Sequence, residues 1–337
     1  MSINAGDEES ADITLEYNTK RINIPIFASA PTNSDDFSLL EASIETRIIG
    51  LLNEAIIADG DKYDTLIEEV LDDILHVGQS MLSEAAPPTH HPHPTSQDLQ
   101  SLLYPECLYF RLQTIGNKAA IFPISPDETV SLPDAPTEPR LDSTVQPEDQ
   151  LCSHSAKDVV VEDLVLGRNG IIGRSQVAGR DMLCKARREG LWDLGFKRAL
   201  QKIQKLNASI GKFIRVPDLH GYVTYSHSDA IIGLLREWIP FGPYGKTVRN
   251  VNVLEVPLDT RQKWADQIRQ TVADLHEIGV TWGDGKPSNV VVDQSGDIWL
   301  IDFAGGRSRG WVDEQLAETV EGDHQAVEKV LGFFALS

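Results

Sequence analysis

The stretch VTWGDGKPSNVVVDQSGDIWLIDFAGG, residues 280–306, decides what this chain can be. It carries four polar side chains in a short span, those of Asp284, Lys286, Asn289 and Asp302. Between the last two, the apolar runs of NVVVDQSGDIWLID flank the turn sequence QSGD, which predicts a hairpin. Such a hairpin returns the chain, so that the two ends of this segment meet at one edge. The stretch therefore predicts a cluster of two carboxylates, an amide and an ammonium group.

The composition sets the class of protein. The chain has 337 residues, of which 41% are hydrophobic, enough for one large or two ordinary domains with apolar cores. Its three cysteines, Cys107, Cys152 and Cys184, are scattered without metal-ligand spacing, which favours a reducing cytoplasmic or nuclear compartment. MSINAGDEES lacks the basic and apolar regions of a secretory signal, and no segment approaches the apolar length of a membrane span. We expect a soluble intracellular protein with no membrane partner.

The formal charge of −21 is concentrated in one half of the chain. Residues 1–150 contain 27 acidic and 7 basic side chains, a net charge of −20, whereas residues 151–337 contain 24 and 23, a net charge of −1. Phosphate repulsion disfavours nucleic acid as a partner of the acidic half. A protein partner of this half stays open, and the nearly neutral half is typical of a catalytic domain.

The acidic half is predicted to contain three segments. Residues 1–84 form an acidic, partly helical region, because apolar residues recur at helical spacing within 38–82. Residues 85–100 form a linker rich in proline. Residues 101–155 form a short β unit, with a hairpin turn at IGNK, and a second linker rich in Pro, Asp, Ser and Thr.

The first linker contains three histidines within EAAPPTHHPHPTS, namely His90, His91 and His93. Histidines this close together are candidate metal ligands. Proline fixes their spacing, however, and no cysteine or second histidine cluster completes a site. A linker is therefore the preferred interpretation of this segment.

The second half, from about residue 156, begins with short β runs. The segment VVVEDLVLGRNGIIGRSQVAGRDMLCKAR places Gly167, Gly170 and Gly173 around a turn and Lys185 in a later strand. Glycines permit close backbone approach to phosphates, and a lysine beyond them reaches the same anion. Hairpin turns also use glycine for conformational reasons alone, so both interpretations stay open.

Two predicted helices follow, separated by an apolar run. LGFKRALQKIQKL has a buried stripe that begins at Phe196, and its lysines and arginine are interpreted as a solvated face. TRQKWADQIRQTVADLHEIGV has Trp264, Ile268, Val272 and Leu275 on one face, and Gly279 ends it. Between the helices, AIIGLLREWIPFGPYG reads as a buried strand interrupted by proline and glycine, where free backbone groups can meet a flat ligand.

The order of these features resembles the protein kinase catalytic core. A glycine turn, a strand lysine, a helix, an apolar hinge and a second helix precede D-x-K-P-x-N, and I-D-F-x-G follows. The chain is most similar to fungal-type kinase-like proteins, whose loop reads WGD in place of HRD, over residues of about 160 to 330. The resemblance implies an α+β, two-lobed fold with an acidic N-terminal extension. Residues 156–240 would form the small antiparallel β lobe, and residues 241–337 a shortened helical lobe.

The resemblance also implies a role for each residue of the motif. Asp284 would orient the acceptor hydroxyl and accept its proton, while Lys286 would contact the γ-phosphate of ATP. Asn289 and Asp302 would hold Mg²⁺ through hard oxygen ligands. Lys185 would pair with the α- and β-phosphates. The remaining nucleotide contacts would come from the glycine turn and from the hinge backbone: Gly167, Gly170, Gly173, Glu237, Trp238 and Ile239.

Several positions depart from the kinase pattern. No Asp or Glu occurs from Leu194 to Pro217, and Ala199 stands where the helix glutamate that pairs with the strand lysine is expected. The motif reads DFAG in place of DFG, Trp282 and Gly283 replace the His and Arg of HRD, and no APE motif follows. Asp323 is a candidate for the helix aspartate that braces the catalytic loop.

Two functions remain open on this pattern. The first is an ATP- and Mg²⁺-dependent phosphotransferase acting on a hydroxyl, a protein Ser or Thr by family analogy, or a small molecule. The second is a pseudokinase, a nucleotide-binding or protein-interaction module without turnover. The retained polar cluster favours the enzyme.

Overall fold

The computed structural model describes residues 2–5, 10–18, 20–28, 43–58, 60–87, 97–116, 118–126, 139–142, 144–167, 170–209, 213–305, 308 and 310–335. The chain separates into two compact units: residues 1–93 with 104–135 form unit 1, and residues 94–103 with 136–337 form unit 2. Both units combine strands with helices, which agrees with the predicted α+β class. The histidines of the first linker and the tip of the glycine turn, residues 168–169, lie outside the described residues.

The described residues form fourteen strands and six α-helices. The strands are β1 Ser2–Ala5, β2 Ser10–Tyr17, β3 Lys20–Phe27, β4 Gln97–Asp98, β5 Cys107–Ile115, β6 Lys118–Pro123, β7 Cys152–Ser155, β8 Val160–Gly167, β9 Gly170–Val177, β10 Arg180–Arg187, β11 Leu219–Thr224, β12 Ile231–Glu237, β13 Val290–Val292 and β14 Ile298–Leu300. The helices are α1 Ile44–Ile57, α2 Gly60–Ala85, α3 Leu99–Leu103, α4 Leu194–Asn207, α5 Leu258–Glu277 and α6 Val320–Phe333.

Unit 1 is a five-stranded sheet that packs against α1 and α2. Its strand order is β1-β2-β3-β5-β6, in which β3 and β5 are parallel and the other pairs antiparallel. Alternate residues of β2, such as Ile13 and Leu15, are buried in one core with Ile48 of α1 and Ile74 of α2. Burial of one face by this alternation fixes the register of the sheet.

Unit 1 differs from the expectation in its strands. The helices within 38–82 and the hairpin at IGNK are confirmed, the latter by the pairing of Ile115 with Lys118. The acidic region, predicted to be partly helical, also contains strands β1 to β3, which were not predicted. The β5–β6 hairpin, expected to start a segment of its own at residue 101, joins the same sheet through β3. This parallel pairing joins residues 86 positions apart, such as Arg21 and Cys107, a separation that local sequence patterns do not report.

Unit 2 begins with a seven-stranded sheet ordered β4-β8-β9-β10-β12-β11-β7. All its pairs are antiparallel except β11 with β7. Helix α4 follows β10, and Asp193 caps it by accepting a hydrogen bond from the amide of Phe196 at 2.8 Å. Phe196, Leu200 and Ile203 pack with residues of β11 and β12 in a core of their own, as the predicted stripe requires.

The rest of unit 2 is mainly helical and has a separate core. Trp264 and Ile268 of α5, Leu300 of β14 and Val330 of α6 belong to this core. Helix α5 ends as predicted before Gly279, whose φ of 67° suits glycine. A sheet-based part followed by a helical part is compatible with a two-lobed fold. Within the described ranges, none of the helices combines the length and apolar character that crossing a membrane requires.

Candidate functional site

The β13–β14 hairpin brings the two ends of the deciding stretch together. Val290 pairs with Leu300, so Asn289 immediately precedes one strand and Asp302 follows the other by two residues. The amide of Ile301 donates to the carbonyl of Asn289 at 3.0 Å, which extends the pairing toward these side chains. The hairpin that the QSGD turn predicts is therefore present, and it places Asn289 beside the segment that carries Asp302.

Asp284 is the centre of a hydrogen-bonded group at this edge. Lys286 Nζ donates to Asp284 Oδ2 at 2.6 Å, and Asn289 Nδ2 donates to the same oxygen at 3.0 Å and to the Asp284 carbonyl at 2.8 Å. Ser308 Oγ donates to Asp284 Oδ1 at 2.7 Å and accepts from Lys286 Nζ at 2.6 Å. These contacts fix the orientation of the Asp284 carboxylate. Ser308 was not singled out from the sequence, since a lone serine in GGRSRG carries no distinctive spacing.

Asn289 is oriented so that its carbonyl oxygen remains available. The side chain is buried, and both bonds of its amide nitrogen go to Asp284. Among the described residues, no donor is found for Asn289 Oδ1. A side-chain carbonyl oxygen that accepts no hydrogen bond from these residues is suited to a ligand or a cation.

Lys185 meets Asp302 although 117 positions separate them. Lys185 lies in β10, and its Nζ is 2.7 Å from Asp302 Oδ1. Burial alone would raise the pKa of Asp302, but the charge and hydrogen bond of Lys185 outweigh it and hold this pKa below its usual range. The amide of Ala304 and the charge of Lys286 act in the same direction. Asp302 is therefore ionised at neutral pH, in the form that can bind a cation.

Asp323, on α6, braces the segment that leads into Asp284. Its Oδ2 accepts from the amide of Trp282 at 2.7 Å and its Oδ1 from the amide of Gly283 at 2.8 Å. His276 Nε2 lies 2.8 Å from Oδ2, and the Asp323 side chain is almost fully buried. Buried backbone amides need partners, so this carboxylate holds the loop in one conformation. The bracing role predicted for Asp323 agrees with these contacts.

The three glycines of the predicted turn have different surroundings. Gly167 ends β8 and pairs with Gly170, which begins β9. A side chain on Gly170 would overlap the carbonyl oxygen of Ala186, and a Cβ on Gly173 would lie 2.5 Å from the Asp163 carbonyl. Close strand packing is therefore a sufficient reason for glycine at 170 and 173. At Gly167, which flanks the tip of the hairpin, a phosphate-binding role and a purely conformational role both stay open.

The predicted hinge follows β12 with part of its backbone free. Glu237 ends the strand, and its amide donates to the Asp218 carbonyl at 2.8 Å. Trp238 is half-buried, with the Arg174 guanidinium 5.9 Å from its ring centre. Ile239 is only 8% exposed, and within the described part of the chain its backbone amide and carbonyl have no hydrogen-bond partner. Such groups are suited to bind the edge of a planar ligand.

Arg236 is a functional candidate that the sequence analysis missed. Its side chain is 5% exposed, and it pairs with Leu183, which places it on the same sheet face as Lys185. One guanidinium nitrogen donates to the Pro217 carbonyl at 2.6 Å. Burial lowers the pKa of Arg236 to about 10, against the opposing effect of Asp302 and other nearby carboxylates, so it stays charged at neutral pH. The sequence feature that could have identified Arg236 is its position as a charged residue within the apolar run AIIGLLREW.

The charges at this site suit a polyanion that carries its own metal. Lys185, Arg236 and Lys286 supply three positive charges, against the two carboxylates of Asp284 and Asp302. Among the residues that the structure describes, no group of three or more His, Cys, Asp or Glu side chains is arranged to hold a metal ion. The oxygens of Asn289 and Asp302 nevertheless fit Mg²⁺, which binds few protein ligands and completes its coordination with phosphate oxygens and water.

Compared with protein-family models and with curated proteins, the sequence of this chain shows no match. The function must therefore be argued from the site itself.

Proposed function

We propose that this chain is an ATP- and Mg²⁺-dependent phosphotransferase of the protein-kinase-like type, with a Ser or Thr hydroxyl as the acceptor. The observation that carries the proposal is the 2.7 Å contact between Lys185 Nζ and Asp302 Oδ1. In kinase-like chemistry, the strand lysine and the aspartate of the second motif act on one metal-bound triphosphate. The fold brings these two residues together although they are 117 positions apart in the sequence.

The order of the elements in unit 2 gives further support. The antiparallel β8–β9 hairpin and the Lys185 strand β10 come first, followed by α4 and by the β11–β12 pair. The free backbone of Ile239 then precedes α5 and the polar cluster. A nucleotide whose base meets Ile239 and whose phosphates meet Lys185 would pass between the sheet-based and helical parts of unit 2.

Each side chain of the cluster has a step to perform. Asp284 would accept the proton of the acceptor hydroxyl, and its bonds to Lys286 and Asn289 hold the carboxylate ready for that step. Ser308 Oγ, 2.7 Å from Asp284 Oδ1, occupies the position that the acceptor hydroxyl would take. Lys286 would neutralise charge on the transferred phosphoryl group. Mg²⁺, when bound at Asn289 and Asp302, would neutralise charge on the phosphates.

A nucleotide-binding module without turnover is the second candidate, and one observation favours it. Helix α4 carries no acidic residue, so Lys185 has Asp302 and no helix carboxylate as its partner. In active kinases the helix glutamate positions this lysine. If Lys185 stays with Asp302, the lysine and the metal compete for the same carboxylate.

Nucleotide binding is tested by thermal-shift titration with ATP, with and without Mg²⁺. We expect the melting temperature of the wild type to rise with ATP in a Mg²⁺-dependent way, because a ligand that binds the native state stabilises it. Asp302→Ala should abolish the rise. Asp313→Ala, which removes an exposed carboxylate bonded to Gln325, should retain it. Equal shifts with and without the metal would contradict the proposed Mg²⁺ site.

Turnover is tested separately by ATP hydrolysis and phosphate transfer with Asp284→Asn. We expect this variant to keep the Mg²⁺-dependent shift and to lose turnover by roughly a hundredfold or more, as removal of a general base does. A wild type that binds Mg²⁺-ATP without any turnover would instead establish the second candidate.

A further inference from the structure

A partly buried ion pair connects α4 to the segment before α6. Lys202 Nζ, in the third turn of α4, is 2.6 Å from Glu318 Oε2. The two side chains are 17% and 26% exposed, respectively. Solvent therefore screens this pair less than an ordinary surface ion pair. It links residues 116 positions apart and reaches the catalytic end of the helical part.

The Glu318 carboxylate lies against two glycines of the site. A Cβ on Gly283, the residue before Asp284, would be 2.9 Å from Glu318 Oε2 and also 2.9 Å from Lys202 Nζ. A Cβ on Gly305, three residues after Asp302, would overlap Glu318 Oε1. Both glycines have positive φ, 82° and 73°. The carboxylate can therefore approach both backbone segments only because neither residue carries a side chain.

Glu318 itself is held in an uncommon backbone conformation. Its φ is 62°, in the left-handed region that non-glycine residues seldom adopt. It follows the short turn Glu314–Leu316 and precedes α6 by two residues. Such a conformation costs free energy and persists where surrounding contacts impose it, and these positions cluster at functional sites. The backbone thus directs this carboxylate toward Gly283, Gly305 and Lys202.

We propose that Glu318 and Lys202 are positioning residues that join α4 to the segments carrying Asp284 and Asp302. The proposal rests on the function proposed above. In kinases, two features align the catalytic groups: the position of the helix, and a phosphorylated loop whose phosphate binds an arginine. Here Gly283 replaces that arginine, α4 lacks the glutamate, and a carboxylate of the chain itself occupies the space beside the loop. The alignment is consequently permanent and needs no phosphorylation.

Charge-removing variants test the link, with a matched lysine as control. Glu318→Gln and Lys202→Met preserve side-chain size and remove one charge each. We expect each to lower kcat by about tenfold to a hundredfold through misplacement of the catalytic groups, with a much smaller change in KM for ATP. The double variant should be no worse than the worse single variant, because the two residues act as one unit. Additive losses would overturn the proposal.

The control is Lys205→Met, on the same helix. Lys205 Nζ donates to the Gly279 carbonyl at 2.8 Å and so connects α4 to the helical part without touching the site segments. We expect kcat and KM to stay at wild-type values in this variant. An equal loss of kcat in Lys205→Met would overturn the proposal. A loss of kcat that is proportional to the drop in melting temperature across all variants would also overturn it, because the pair would then be only a structural contact.

A readout that needs no turnover separates this proposal from the proposed function. In the ligand-free protein, amide hydrogen exchange at residues 282–286 and 302–305 should be faster in Glu318→Gln and Lys202→Met than in the wild type or Lys205→Met. Unchanged exchange would overturn the link whatever the activity. Faster exchange in a protein whose wild type shows no turnover would support the link and contradict the phosphotransferase.

Phosphatase treatment of an active wild type should leave kcat unchanged, and a loss of kcat would overturn the permanence of the alignment.

Discussion

Asp302 joins the sheet-based part of unit 2 to its polar cluster, and its ionisation has a measurable consequence. Because Lys185 holds the pKa of Asp302 below its usual range, the folded state favours the carboxylate more than the unfolded chain does. This stabilisation is present above the ordinary carboxyl pKa, and it is lost as the pH falls through the lowered folded pKa. The contribution of Asp302 is therefore present at neutral pH, and its pH dependence is confined to the acidic range.

We expect the free energy of unfolding of unit 2 to fall more steeply in the wild type than in Asp302→Asn as the pH is lowered from about 5 to about 2. Urea unfolding followed by tryptophan fluorescence measures it, since all six tryptophans of the chain belong to unit 2. Identical pH dependence in the two proteins would show that the ion pair with Lys185 contributes nothing to stability.

Residues of the site differ in how far sequence predicts them. The spacing of Asp284, Lys286, Asn289 and Asp302 is local, and one hairpin brings the last two together, so a motif can reveal them. Ser308 joins the site through hydrogen bonds over 22 and 24 positions, and Glu318 pairs with Lys202 over 116 positions. A serine or a glutamate in a polar loop has no pattern that distinguishes it from its neighbours. Such partners become visible only when the chain is folded.

At the scale of elements, the first turn of α6 fixes the loop that carries Asp284. Asp323 accepts two backbone hydrogen bonds there, and its removal leaves two buried amides without partners. We expect Asp323→Ala to lower the free energy of unfolding of unit 2 by about 3 kcal/mol in urea titrations. Glu321→Ala, an exposed change in the same turn, should cost less than about 0.5 kcal/mol. Comparable losses in both variants would mean that helix stability, and not the loop contacts, determines the effect.

The elements themselves were predictable where their patterns are strong and local. Helices α4 and α5 follow from apolar stripes with clear ends, and the turns at IGNK and QSGD identify two hairpins. Strands β2 and β3 are only eight residues long each, and buried and partly exposed residues alternate through most of β2 but not through the end of β3. Their sheet is completed by β5, far along the chain, and single-sequence patterns do not register such pairings.

At the scale of the whole molecule, the two units concentrate different physical properties. Each has hydrophobic core residues of its own, as independently stable domains do. The excess of acidic residues lies in the first half of the sequence, whereas the candidate site lies entirely in unit 2. Because the units have separate cores and different charge, their responses to pH should differ.

Unit 1 should respond to pH in the direction opposite to that of unit 2. Burial raises the pKa of Asp12, in β2, to about 6, so the folded unit favours the protonated acid. The stabilisation from Asp12 is then full below the ordinary carboxyl pKa of about 4 and decreases as the pH rises from about 4 through about 6. Amide hydrogen exchange of β2 and β3, corrected for the intrinsic pH dependence of exchange, should report falling protection over this range.

Asp12→Asn should remove this pH dependence of protection, while Asp64→Asn, an exposed change on α2, should keep it. Protection in the wild type that is constant or rises across this range would contradict a raised pKa of Asp12, because ionisation of the half-buried carboxyl would then carry no cost in the folded unit.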